Sequence, residues 1–208
     1  DEGVVGSAVI GQVGPAGYRE RRRRGGARAR DVCVPRAVHV DATADVVARA
    51  VDRLQGVGPF GVNFIHSPAE PGLEDALVDL YLAKGVRLVE ASAFLDLTPA
   101  LVRYRLKGNR IVAKASRVEV ASKFFAPPPE KIVRDLLAAG RVTAEEARVG
   151  SRLPVAEDLT VEADSGGHTD NRPLVALLPT MLALRDRMQE EHGYAVRLRV
   201  GAAGGIAT

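Results

Sequence analysis

The second part of the chain, residues 59–208, repeats one pattern: a short apolar segment, a turn and a helical segment. Segments such as 61–65 (GVNFI) and Arg110–Ala115 (RIVAKA) are each followed by apolar residues at helical spacing. This alternation predicts an α/β fold in which parallel strands are joined by helical crossovers. The strand segments show no strict polar–apolar alternation, which predicts strands covered on both faces. On this pattern alone, a doubly wound sheet and a (β/α)8 barrel both remain open.

Capping and turn residues set the bounds of the predicted elements. Thr98 followed by Pro99 is typical of a helix start, and Gly85 is typical of a helix end. Five strands are predicted at residues 61–65, 87–91, 110–115, 158–163 and 195–200. Helices are predicted at residues 44–54, 71–83, 99–106, 116–125, 130–139, 143–149 and 173–192.

Residues 1–58 differ from the rest of the chain and form a separate predicted region with a basic arm. Residues 19–30 contain seven arginines and one glutamate, and the chain's net charge of +3 becomes −3 without them. The basic character is therefore local. Because Tyr18 is the only aromatic residue beside these arginines, we expect a solvated arm rather than a nucleic-acid site. Residues 59–208 form a second predicted region, the α/β domain.

The composition fits a globular protein of one core, with 46% apolar and 26% charged residues in 208. No apolar run is long enough for a membrane span, and Asp1 and Glu2 do not begin a secretory signal. Cys33 is the single cysteine, so no internal disulfide can form. A cytoplasmic location is predicted on that basis.

The loop after the fourth predicted strand contains the strongest catalytic candidate. His168 follows Gly166 and Gly167 there, and Glu162 precedes them. A neutral imidazole can exchange a proton near neutral pH. The alternative is a histidine that only bonds to the loop backbone. No histidine pair at helical spacing and no cysteine cluster is present, so no metal site is predicted.

Other polar residues follow or end predicted strands. Asn63 and Lys114 lie near two strand ends, and His66 is a further candidate at the same edge. Their alternatives are a loop-capping amide and a lysine paired with Glu90 or Glu119. Gly204 and Gly205 follow the fifth strand, where glycine lets backbone N–H groups approach a phosphate. A tight turn without a ligand is the alternative for this pair.

The chain resembles the PfaD family over residues 59–208. Four stretches carry the resemblance: GVNFIHSPAEPGLEDALVDLYL, IVAKASRVEVASKFFAPPPEKIV, LTVEADSGGHTDNRP and RVGAAGGIAT. Members of this family are flavin-dependent enoyl reductases that act in trans on polyketide and polyunsaturated fatty acid synthases. They form part of the wider nitronate monooxygenase group of FMN barrels. The resemblance therefore implies a (β/α)8 TIM barrel, of which this sequence supplies only a part.

The resemblance also implies a reaction and a set of site residues. FMN is the implied cofactor, NADPH the hydride source, and an enoyl group on an acyl carrier protein the substrate; a homodimer is compatible with it. His168 matches the histidine of the family's GGH loop and is the implied catalytic residue. The implied cofactor-binding residues are Asn63, Lys114, Glu162, Gly166, Gly167, Ala203, Gly204 and Gly205.

The sequence departs from the family pattern at three places. Residues 1–58 do not resemble the family's first barrel strands, and an out-of-frame stretch is our hypothesis for residues 11–40. Gly108 leads directly into Asn109, which we expect to shorten only a surface loop. The sequence stops at Thr208, before the remaining strands. Nitronate oxidation and a non-catalytic fragment or docking module are therefore kept as alternative functions.

Overall fold

The computed structural model describes residues 44–55, 60–70, 72–163 and 172–204. Seven helices and five strands lie within these ranges. The strands are β1 Val62–Ile65, β2 Leu88–Ser92, β3 Arg110–Ala115, β4 Asp158–Glu162 and β5 Arg199–Ala203. The helices are α1 Ala44–Leu54, α2 Leu73–Ala83, α3 Pro99–Leu106, α4 Val118–Phe125, α5 Glu130–Ala138, α6 Ala144–Gly150 and α7 Leu174–His192.

All five strands are parallel and follow one another in the order β1-β2-β3-β4-β5. A doubly wound sheet would reverse its strand order at a switch point. The described residues contain no such reversal, so the sequential order found in barrels is the one this sheet follows. The α/β class and the parallel sheet are thus confirmed, whereas a closed eight-stranded barrel goes beyond these five strands.

The predicted elements lie where expected, with one clear exception. The fifth strand was predicted at residues 195–200, but β5 begins at Arg199 and continues through Ala203. The Gln189 side chain explains the shift, since it bonds to the carbonyl oxygens of Tyr194 and Val196 and accepts from the Leu198 amide. These bonds hold the connection after α7 in a turn. The segment 201–203, which reads as part of a glycine turn, pairs instead with β4.

The hydrophobic core lies between one face of the sheet and the helices. Val62, Phe64, Val89, Ile111 and Leu159 alternate along their strands and are almost completely buried there. An aromatic group reinforces this layer. The Phe64 ring lies 5.9 Å from the ring of Tyr81 and 5.4 Å from that of Phe94, between centroids.

Helix α3 is enclosed by its neighbours, since all its residues from Ala100 to Leu106 are buried. Its two arginines are therefore paired. The Arg103 guanidinium donates to the Asp79 carboxylate at 2.8 Å, and Arg105 donates to Glu157 at 2.8 Å. Arg105 also donates to the backbone oxygen of Asn109, which is 2% exposed. The expectation that the junction of Gly108 and Asn109 shortens only a surface loop stays a prediction: Gly108 is exposed, whereas Asn109 is part of the packed interior.

The opposite face of the sheet, called here the polar face, is covered less completely. Its residues alternate with those of the core, and Asn63, Val112, Lys114, Thr160 and Glu162 are all only partly buried. The prediction of strands covered on both faces is therefore confirmed in part: among the described residues the core face is fully covered and the polar face only partly. The sequence misled because Val112 and Ile65 also point to this second face, which hides the alternation.

Candidate functional site

The carboxyl ends of the parallel strands bring several predicted site residues together. Lys114 is the fifth residue of β3, and Glu162 is the last residue of β4. The Lys114 ammonium lies 2.8 Å from a Glu162 carboxylate oxygen, with side chains 13% and 21% exposed. The direct partner of Lys114 is thus Glu162, rather than Glu90 or Glu119. Such a pair at the C-terminal edge of a parallel sheet occupies the usual place of a ligand site.

Glu90 adds a second carboxylate on the other side of Lys114. It lies in β2, next to β3, and is only 7% exposed. Burial raises the pKa of the Glu90 carboxyl, the charge of Lys114 lowers it, and the charge of Glu162 raises it again. The net pKa is above its usual value, because burial disfavours the ionised form more strongly than Lys114 favours it.

Asn63 lies in β1 on the same face, beside Glu90 in the register. The Ser92 hydroxyl donates to the Asn63 side-chain oxygen at 2.8 Å. This bond fixes the orientation of the Asn63 amide within β1. An amide, an ammonium and two carboxylates therefore lie on the polar face of four neighbouring strands, β1 to β4.

His66 does not join this group. It follows β1 by one residue, and its ring lies 5.1 Å from the ring of Phe94, a residue of the core. Its Nδ1 lies 2.6 Å from the Glu74 carboxylate, which also accepts from the Ser67 amide and, at 2.7 Å, from the Thr98 hydroxyl. These bonds join the loops after β1 and β2, so the contacts of His66 point to a scaffold role.

The remaining predicted residues lie at the end of β5 or outside the described ranges. Ala203 pairs with Glu162 as the last residue of β5, and Gly204 follows with a φ of 81°. That left-handed backbone favours glycine, as a close turn at a phosphate site would require. Gly166, Gly167, His168 and Gly205 lie outside the described residues, so their roles stay predictions.

Two neighbours of the predicted set were missed as site residues. Glu90 and Ser92 both belong to β2, whose sequence LVEAS carries polar residues at its C-terminal end. The signal was present in that strand end. Only the register, which sets Glu90 beside Asn63 and Val112, shows that Glu90 shares a face with Lys114.

No helix in the described part of the chain is long and apolar enough to cross a membrane. No protein-family model matches the sequence.

Similar proteins are found among synthase components. The chain is 49% identical to a polyunsaturated fatty acid synthase component of Thraustochytrium sp. over 178 residues, covering 77% of this chain and 12% of that protein. It is 45% identical to the polyketide biosynthesis protein PksE of Bacillus subtilis over 161 residues, covering 72% of this chain and 21% of PksE. The chain thus spans about a tenth to a fifth of the length of these relatives.

One solved structure has a similar fold. The enoyl reductase domain of MlnA, from the macrolactin biosynthesis cluster of Bacillus amyloliquefaciens, matches with a TM-score of 0.72 and 37% identity. The match covers 79% of this chain and 40% of that one. The predicted PfaD-like resemblance is confirmed. This chain is a homologue of polyketide and polyunsaturated fatty acid synthase components, and it shares the fold of an enoyl reductase domain.

Proposed function

We propose that this PfaD-like chain is the flavin-binding part of an enoyl reductase of a polyketide or polyunsaturated fatty acid synthase. Its substrate is an enoyl thioester on an acyl carrier protein, on which it acts in trans. The observation that carries the proposal is the Lys114–Glu162 pair at the C-terminal edge of a sheet that resembles an enoyl reductase domain, with Asn63 on the same face two strands away. We further propose that this sheet belongs to a (β/α)8 barrel. The protein is proposed to act in the cytoplasm.

The chemistry of the donor set fits FMN. The isoalloxazine ring offers N–H donors and carbonyl acceptors, which suit the Asn63 amide and the Lys114 ammonium. Glu162 would accept hydrogen bonds from hydroxyl groups of the ribityl chain. Ala203 and the left-handed turn at Gly204 suit the phosphate, and Gly205 extends that segment. Gly166 and Gly167, which precede His168 in the sequence, would offer their backbone N–H groups.

The proposed reaction adds a hydride and a proton across a carbon–carbon double bond. Bound FMN would supply the hydride chemistry at the β-carbon of the enoyl group, with NADPH as the hydride source. Lys114 and Asn63 would hold the ring, and their contacts with Glu162 and Ser92 keep both side chains in place. His168 donates the proton from an imidazole nitrogen to the α-carbon or to the thioester oxygen.

The full chain, loaded with FMN, tests this proposal. NADPH oxidation is followed with an enoyl thioester on an acyl carrier protein, and the product is identified by mass spectrometry. We expect His168→Ala to slow turnover by about 100-fold or more, the range of general acid catalysis. His192→Ala is the matched control, because His192 stacks on Tyr194 at the other end of α7.

Three outcomes contradict the proposal in different ways. An equal loss of turnover in His168→Ala and His192→Ala would contradict the catalytic role of His168. Oxidation of a nitronate without enoyl reduction shows a nitronate monooxygenase. A folded chain that takes up no FMN is a non-catalytic part of a larger protein.

A further inference from the structure

Lys114 is flanked by carboxylates on both sides of β3, although one ion pair would neutralise it. Glu162 on β4 contacts its ammonium at 2.8 Å. Glu90 on β2 pairs in register with Val112, two residues before Lys114, and interacts with Lys114 through its charge. The lysine therefore extends toward the strand ends with one acid beside its ammonium and another acid nearer the middle of the sheet.

The buried carboxylate of Glu90 is not expected to stabilise the folded chain. It is 7% exposed, and the repulsion from Glu162 works against the attraction from Lys114 at its carboxylate. A buried carboxylate of this kind is disfavoured by the loss of its hydration. Burial does raise its pKa, which agrees with that expectation. A glutamine of the same shape would avoid the buried charge, so the charge itself needs another explanation.

We propose that Glu90 is a positioning residue, which holds the Lys114 ammonium between β2 and β4 and adds a negative charge beneath the cofactor site. This inference rests on the proposed function. A lysine has a long flexible stem and a compact charge, so a single partner leaves it free to turn toward that partner. The charge of Glu90 on β2 attracts the ammonium from the side opposite to its contact with Glu162 on β4. The added negative charge disfavours electron uptake by a nearby flavin and lowers its reduction potential.

Glu90→Gln in the full chain separates this role from a structural one. FMN affinity is measured by fluorescence titration, and the midpoint potential of the bound flavin by spectroelectrochemistry. We expect about tenfold weaker FMN binding, the loss of roughly one good interaction, and a higher potential. The folded protein should be as stable as the wild type or more so. Glu130→Gln, an exposed acid at the start of α5, is the matched control and should change neither quantity.

A cycle with Lys114→Gln tests whether Glu90 acts through Lys114. The denaturant midpoints of the two single variants and the double variant are compared without FMN. We expect non-additive effects, because each variant removes one partner of the same interaction. Additive effects, or a Glu90→Gln chain with unchanged FMN affinity and potential, would overturn the inference.

The two proposals can fail separately. If the wild-type chain binds no FMN, the proposed function fails, and additivity or coupling in the unfolding cycle still decides whether Glu90 positions Lys114. If FMN binds with wild-type affinity and potential in Glu90→Gln, the positioning role fails while the proposed function stands.

Discussion

Two charge clusters occupy opposite ends of the polar face. One is an acidic residue between two basic residues, and the other is a basic residue between two acidic residues. At the N-terminal edge, the Asp158 carboxylate lies between Arg110, at 2.9 Å, and Arg199, which donates to it from two nitrogens. At the C-terminal edge, Lys114 lies between Glu162 and Glu90. Both clusters use β3 and β4; the N-terminal cluster adds β5, and the C-terminal cluster adds β2.

The carboxyl groups of the two clusters respond to folding in opposite ways. Burial raises the pKa of Asp158, but the hydrogen bonds and charges of Arg199 and Arg110 together lower it by more. The net pKa is therefore below its usual value. The net pKa of Glu90 is above its usual value, with burial as the main cause. Folding therefore favours ionised Asp158 and disfavours ionised Glu90. Barrel folds separate stability and function between the same two edges.

The largest change in stability is expected from the scaffold of the C-terminal edge. Glu74→Ala removes the common acceptor of His66, Ser67 and Thr98. We expect a loss of about 2–3 kcal/mol, since hydrogen bonds to a charged group are lost and donors are left unpaired. Denaturant unfolding measures it. Glu74→Gln is the control and should lose less, because it keeps one acceptor oxygen. An unchanged denaturant midpoint in Glu74→Ala would show that these loops do not depend on the Glu74 carboxylate.

A smaller loss is expected at the N-terminal edge. Asp158→Asn leaves two guanidinium groups without their carboxylate and should lower stability by about 1 kcal/mol, since both arginines are half exposed. The pKa of Asp158 is lowered by folding, so its contribution is present above the usual carboxyl pKa. It disappears as the pH falls through the lowered value. Unfolding curves of both chains from neutral to acidic pH measure this, and a difference that persists at the acidic end contradicts it.

The smallest effect, with the opposite sign, is expected for Glu90→Gln. Because folding raises the pKa of Glu90, the wild-type chain loses stability as the pH rises from the usual carboxyl pKa to the raised one. The variant should therefore match the wild type near about pH 4 and exceed it at neutral pH by roughly 1 kcal/mol or less. The same pH series of unfolding curves checks the sign. A variant less stable at neutral pH would remove the contrast between the two edges.

Local sequence signals were sufficient for most of the fold. Pro99 begins α3 and Thr98 caps it, and the left-handed Gly85 follows the end of α2, as predicted. Residues 195–198 were misassigned because the Gln189 side chain determines their path, and such a bond between a helix and a later turn has no local signature.

The candidate site was predictable only in part. Asn63, Lys114 and Glu162 were found because polar residues at strand ends stand out in an apolar segment. Glu90 was considered only as a partner of Lys114, since its place on the polar face depends on the register between β2 and β3. For His66 the local signal was insufficient. It lies at a strand end, but the Glu74 carboxylate on α2 determines what it contacts.

The most direct test of the account is FMN binding to two variants that each lose one cation of β3. Lys114→Gln and Arg110→Gln change the same strand and the same face at opposite edges. FMN is titrated into each full chain and into the wild type, and the flavin bands at ~370 and ~450 nm and the fluorescence are recorded. We expect Lys114→Gln to weaken binding by about 10- to 100-fold, and Arg110→Gln to bind as the wild type does. Equal binding by all three chains would contradict a flavin site at the C-terminal edge.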